Sequence, residues 1–216
     1  RQSRQPALEG LSLLRLAEAH YRTFVGHQSA LENALRAAAI FERLGDTVQQ
    51  GRALCVQAAA YSRQSRVAES HQAAAQALAL AQASGDLPGQ GNALNLLTYH
   101  LADLAVLLKR LNQALAVYKA AGHVPGQGAI INNLGNAYMA LGLYRRARRM
   151  YRQAIDIARR TGATRYTTTW NLIQLEAETG HLEAAQTHLD DYVAQVRAMG
   201  LSAAKPYVTF LQGQFA

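Results

Sequence analysis

The sequence predicts an all-α fold, a right-handed α-solenoid of about five helix-turn-helix repeats with a partial C-terminal capping helix. Three observations carry this expectation. The 216-residue chain is half hydrophobic yet only 7% aromatic, holds four prolines and is rich in alanine, so helix propensity dominates and β-branched runs are scarce. Glycines recur at Gly45, Gly85, Gly122, Gly162 and Gly200, at intervals of 40, 37, 40 and 38 residues, with similar flanks. That is the period of a repeated supersecondary unit. Within one period, apolar residues follow helical spacing on both sides of a central break.

The clearest copy spans 128–162. Ile131, Leu134, Tyr138 and Leu141 make one helical stripe, "LGLY" breaks the helix at Gly142, and Tyr144, Ala147, Tyr151, Ala154 and Ala158 make a second stripe. Gly162 stands where a left-handed C-terminal cap belongs. The same register places copies at about 11–45 (Tyr21, Ala30, Ala37, Gly45), 51–85 (Tyr61, Ala77, Ala81, Gly85), 91–122 (Ala114, Gly122) and 168–200 (Gly180, Ala185). The third copy is about three residues short and lacks the glycine turn, so "TYHLADLAVLLKRLNQA" reads as one bent helix or a tightly turned pair. Residues 201–216, with Pro206 kinking or opening the segment, read as a capping or partial sixth repeat. The whole of 1–216 is therefore expected to form a single array.

"PGQG" occurs twice in phase, at Pro88 and Pro125. A phosphate loop needs a preceding strand and a following Lys-Ser/Thr, and neither is present. The motif reads instead as an inter-repeat turn.

The segment "NNLGNAYMALGLYRRARRMYRQAIDIA" resembles a tetratricopeptide repeat, through Leu134, Gly135, Tyr138, Ala147, Tyr151 and Ala154. The period near 40 rather than about 34 resembles the long-repeat subgroup found in cortical-polarity adaptors, kinesin light chains and many bacterial regulators. The fifth copy departs from the pattern, with Glu176 where an aromatic is expected.

The resemblance implies a concave groove lined by the first helix of each pair. The residues that would feed it are Ser12, Arg15, Ala19 and Arg22; Arg52, Cys55, Ala59, Ser62 and Arg63; Asn92, Asn95 and Tyr99; Asn132, Asn133 and Asn136; and Trp170, Asn171 and Gln174. Each set keeps close to i, i+3, i+7, so each projects from one side of its helix. Arginines come first, asparagines next and the one tryptophan last. Asparagine can pair with a peptide backbone through its donor and acceptor, and the resemblance implies that Asn133 and Asn136 do so. Arginine pairs bidentately with carboxylates, so a protein or peptide partner with acidic residues is expected.

The implied function is a protein–protein interaction scaffold that binds a peptide or partner domain. The alternative is the ligand-sensing segment of a larger bacterial signalling protein, an ATPase-type transcription regulator or a cyclase. No acid–base or nucleophile set suggests an enzyme, and no cofactor is implied. Histidines are scattered without a zinc spacing, His181 and His188 lying seven apart. One cysteine, Cys55, favours a reducing, cytoplasmic compartment. No charge-free apolar run approaches the ~20 residues of a membrane span. The chain opens "RQSRQ" rather than with Met, which suggests a fragment whose other domains could be partners.

Net charge is +8. The densest basic run, Tyr144 to Arg160, could suggest nucleic acid, but Tyr144 and Tyr151 fall on the stripe expected to be buried and so cannot stack on bases. The run reads as a solvated convex face, with Asp156 placed to pair with Arg152 and Arg160. The acidic last copy, with Glu176, Glu178, Glu183, Asp190 and Asp191, opposes the basic fourth in sign and could steer head-to-tail self-association.

Overall fold

A computed structural model describes residues 4–22, 26–163 and 166–198. Among them are ten helices and no strand. They form five consecutive hairpins: α1 (Arg4–Arg22) with α2 (His27–Leu44), α3 (Thr47–Arg63) with α4 (Val67–Ser84), α5 (Leu87–Leu96) with α6 (Leu104–Ala120), α7 (Val124–Ala140) with α8 (Tyr144–Thr161), and α9 (Tyr166–Glu178) with α10 (Leu182–Ala198). The all-α repeat fold expected from the glycine period is the fold observed. Gly200 and the tail 201–216 lie outside the described residues.

The chain packs as two compact units, Arg1–Gly126 and Gln127–Ala216, the boundary falling inside α7. In the first unit α1 contacts α3 and α3 contacts α5, while α2 packs on α3 and α4 on α5. Leu13, Leu14, Ala37, Phe41 and Ala53 form one part of the core, and Leu54, Ala58, Ala73, Ala77, Ala93 and Leu96 another. So many alanines in the interior let helix backbones approach closely, and the few large side chains fill what remains. In the second unit, Ala147, Tyr151 and Ile155 of α8 pack on Leu172 and Leu175 of α9.

The periodic glycines do what their spacing suggests. Gly45, Gly85 and Gly162 take φ of 69°, 71° and 67° at the ends of α2, α4 and α8, the left-handed region that a side chain resists. The next residue then helps start the following helix. The Asp46 carboxylate accepts from the Gln49 amide at 3.0 Å, and His123 Nδ1 accepts from the Gly126 amide at 3.1 Å. A Cβ at Gly85 would meet nothing within 4 Å, so the cost of Gly85→Ala is conformational alone. We expect a loss of about 1–2 kcal/mol in urea denaturation.

"PGQG" is not the turn. Pro88 lies in the first turn of α5 and Pro125 in that of α7, and the turns proper are Gly85-Asp86 and Gly122-His123. Proline is suited to a first helical turn, where its missing N–H leaves no bond unmade. The glycines serve packing. A Cβ on Gly91 would come 2.7 Å from the Tyr118 ring, and one on Gly126 would also strike it.

The third copy is a tightly turned pair. No glycine is available, so His100 itself adopts φ 60°. Long side chains hold the turn: His100 Nε2 lies 2.9 Å from Ser62 Oγ, His71 Nε2 donates to the Tyr99 carbonyl at 2.8 Å, and Arg110 donates to the Leu97 carbonyl at 2.6 Å. Asp103 then caps α6, accepting from the Ala105 and Val106 amides. The result is an α5 of only ten residues.

Candidate functional site

In the first unit, the first helices of three hairpins enclose an open cavity of about 480 Å³. Arg15, Glu18 and Tyr21 come from α1, Arg52, Cys55 and Ala59 from α3, and Asn92 and Asn95 from α5, with Tyr99 and His123 at the adjoining turns. Seven of the groove candidates, Arg15, Arg52, Cys55, Ala59, Asn92, Asn95 and Tyr99, thus share one wall. Arg63 stands beside it, its guanidinium 4.6 Å from the centre of the Tyr21 ring. The Arg22 side chain lies outside the described residues.

The arginines are already partly engaged. Arg15 donates to Glu18 at 2.7 Å, and Arg52 Nε stands 3.7 Å from Asp86. Both arginines keep much of their side chain in solvent; at Arg15 an incoming carboxylate would compete with a partly exposed neighbour, and at Arg52 with the nearly buried Asp86, which stands beyond hydrogen-bond distance. Burial pushes the Cys55 thiol up to about 12 and the Tyr99 hydroxyl likewise to about 12. Both stay neutral near pH 7, and the thiol is not a nucleophile.

Asn92 has a defined partner. The Tyr118 hydroxyl donates to its Oδ1 at 2.6 Å. With one acceptor site of the oxygen so occupied, the amide's two N–H donors are the larger part of what Asn92 brings to the cavity it lines.

The second unit contains a separate amide cluster. Asn171 Nδ2 donates to Asn132 Oδ1 at 3.1 Å and to Asn136 Oδ1 at 3.0 Å, and Asn132 donates to Asn133 Oδ1 at 3.3 Å. The Tyr151 hydroxyl also donates to Asn136 Oδ1, at 2.8 Å. Four groove candidates therefore bond to one another. Trp170 packs on Tyr192, ring centres 5.8 Å apart, and Gln174 is exposed on the same helix.

The basic helix α8 carries seven arginines against one acid, Asp156. Three details of its expected arrangement are corrected. Tyr144 is 41% exposed, because it opens the helix before neighbours can cover it, whereas Tyr151 is fully buried. Leu141, placed on the first stripe, is likewise exposed, since α7 ends at Ala140. Asp156 lies 3.9 Å from Arg159, one turn away at i+3, rather than pairing with Arg152 or Arg160. Arg152 instead leans toward Glu176 at 3.8 Å.

Glu176 explains the departure in the fifth copy. It is 1% exposed, and Arg148 reaches it with Nε at 2.8 Å from Oε1 and a terminal nitrogen at 2.6 Å from Oε2. An ion pair fills the space an aromatic ring would take. Nothing in the sequence singled out Arg148 among its neighbours; only the out-of-pattern Glu176 hinted that a cation was needed beside it. Among the described residues, no group of three His, Cys, Asp or Glu side chains could hold a metal ion, and no helix is long and apolar enough to cross a membrane.

Residues 128–161 match the family model described as tetratricopeptide repeat. No curated protein sequence matches the chain. Similar solved structures include a Rap protein complexed with competence and sporulation factor, 16% identical with a TM-score of 0.79 over 88% of this chain and 54% of that one. Aspartyl phosphate phosphatase F from Bacillus subtilis is 14% identical, with a TM-score of 0.76 over 97% and 56%. A putative kinesin light chain from Podosopora anserina with nearly identical TPR-like repeats is 21% identical, with a TM-score of 0.57 over 90% and 95%. The chain thus spans about half the length of the first two. At these identities the likeness is one of fold.

Proposed function

We propose that this protein of tetratricopeptide-like repeats is an interaction scaffold whose first-helix cavity holds a peptide segment or partner domain bearing carboxylates. One observation carries the reading: Arg15, Arg52, Asn92 and Asn95, from three successive hairpins, converge on a single open cavity of about 480 Å³. That volume suits a few residues of extended chain, and Arg15, Arg52, Asn92 and Asn95 set hydrogen-bond donors into a wall that also carries Val56, Ala59, Pro88 and Leu96, donors that an acceptor-rich segment satisfies. The asparagine cluster of the second unit offers side-chain amides that suit a peptide backbone.

A second reading makes the chain the ligand-sensing part of a larger bacterial signalling protein. Its support is the Rap neighbour of the same fold, solved with competence and sporulation factor bound. Both readings use the same cavity, and they part on whether the partner is a soluble signal or a stable protein.

The test is fluorescence polarisation with an acetylated, amidated peptide of alternating Glu and Ala, against its Lys-Ala counterpart. The acidic peptide is expected to bind more tightly, and the double variant Arg52→Ala, Asn92→Ala to weaken it by about tenfold or more, the loss of one charge-assisted bond being about 1.5–3 kcal/mol. Equal binding of both peptides by the unaltered protein would sink the reading.

A further inference from the structure

We propose that Tyr118 and Tyr151 are positioning residues that orient the side-chain amides of Asn92 and Asn136, holding each oxygen at a tyrosine hydroxyl so that the N–H donors are what the amide chiefly presents to a ligand. Each lock is built the same way in its own unit. A buried tyrosine ring fills a slot kept open by glycine, and its hydroxyl reaches an asparagine on a first helix.

In the first unit the Tyr118 ring is 3% exposed. It occupies the space that a Cβ on Gly91 or Gly126 would enter, and it stacks on the His123 ring at 5.2 Å. A ring so enclosed cannot swing, so its hydroxyl stays at 2.6 Å from Asn92 Oδ1. In the second unit Tyr151 is fully buried, and a Cβ on Gly135 would overlap its ring. Its hydroxyl meets Asn136 Oδ1 at 2.8 Å, and Asn171 Nδ2 meets the same oxygen at 3.0 Å. Two donors use both lone pairs of that oxygen. Turning the Asn136 amide over would set its N–H₂ against the N–H₂ of Asn171, and turning Asn92 over would take its oxygen from the short Tyr118 bond.

Burial pushes both hydroxyls well above the ordinary tyrosine range, so each remains a donor at working pH. An unlocked asparagine flips to suit donors or acceptors alike. A locked one selects acceptors, which are main-chain carbonyls and carboxylates. This ligand class rests on the interaction reading above; the lock itself does not. The same accounting gives Asn171 the opposite character. Its two N–H groups are spent on Asn132 and Asn136, so its oxygen is the part left for a ligand.

Tyr118→Phe and Tyr151→Phe keep the ring in its slot and remove only the hydroxyl. The first measurement is ¹⁵N relaxation of the Asn92 and Asn136 side-chain amides in the ligand-free protein. Amide order should fall at Asn92 alone in the first variant and at Asn136 in the second, with backbone order of α5 and α7 unchanged. Unchanged side-chain order overturns the lock. The second measurement is binding of the Glu-Ala and Lys-Ala peptides. Tyr118→Phe should weaken the acidic peptide by about tenfold and narrow the preference between the two. A looser Asn92 amide with undiminished acidic preference overturns acceptor selection. Failure of the unaltered protein to bind either peptide would count against the interaction reading and leave the relaxation result to decide the lock.

Discussion

Arg148→Ala is expected to destabilise the second unit by about 3–5 kcal/mol, the cost of leaving one partner of a buried ion pair without the other. Glu176 is 1% exposed, and Arg148 gives it three hydrogen bonds, at 2.8, 3.0 and 2.6 Å, while also reaching Thr179 Oγ1 at 3.1 Å. Without the guanidinium the carboxylate would keep only Arg152 at 3.8 Å and the His181 imidazole at 3.7 Å, neither within hydrogen-bond distance. Denaturant titration followed by circular dichroism measures the loss. Replacing both partners together, as Arg148→Met with Glu176→Leu, should recover most of it, since an apolar pair of similar volume carries no desolvation penalty. A single-variant loss under about 1 kcal/mol would mean that water reaches the carboxylate when the arginine is gone.

Tyr151→Ala should cost about as much, roughly 3–5 kcal/mol, because a fully buried aromatic leaves a cavity that rigid helices cannot collapse into. The ring lies against Gly135 and among Ala147, Ile155, Leu172 and Leu175. Removing it also strands the Asn136 oxygen from one of its two donors. Gly135→Ala probes the same contact from the other side by pushing a methyl into the ring, an overpacking cost of about 1–3 kcal/mol. The double variant should be less destabilised than the sum, since the truncated side chain vacates the space that the new methyl needs. Strict additivity in thermal or chemical unfolding would show that the two positions do not share a contact.

Much of the repeat plan was legible before any coordinates. A left-handed C-cap selects glycine whatever surrounds it, so Gly45, Gly85, Gly122 and Gly162 marked the period. Helical stripes such as Ile131 with Leu134 marked the buried faces. The failures arose where a residue's role depends on something distant in sequence. "PGQG" looked like a turn because glycine and proline usually punctuate, yet two of its glycines exist to admit the Tyr118 ring from another helix. Tyr144 kept the helical phase of a buried residue but sits at a helix start, where phase alone does not guarantee a neighbour. The Arg148–Glu176 pair spans two hairpins, and the one arginine that reaches a buried carboxylate looks the same in sequence as six others on its helix. The α5–α6 turn needed His100 in a conformation that histidine rarely adopts, so no local rule could announce it. Of the residues proposed for the groove, seven were brought to one cavity and four to one amide cluster; their common origin on first helices was visible, their bonding to each other was not.

The masked thiol of Cys55 makes the first unit its own stopwatch. Burial holds the thiol up at about 12, so at pH 8 little of it is thiolate and an alkylating reagent should react far faster whenever α3 parts from its neighbours and the sulfur regains ordinary acidity. Because this is the one cysteine in the sequence, the modification rate counts those excursions without engineered labels. A bound segment lying over the same wall would lengthen the interval between them.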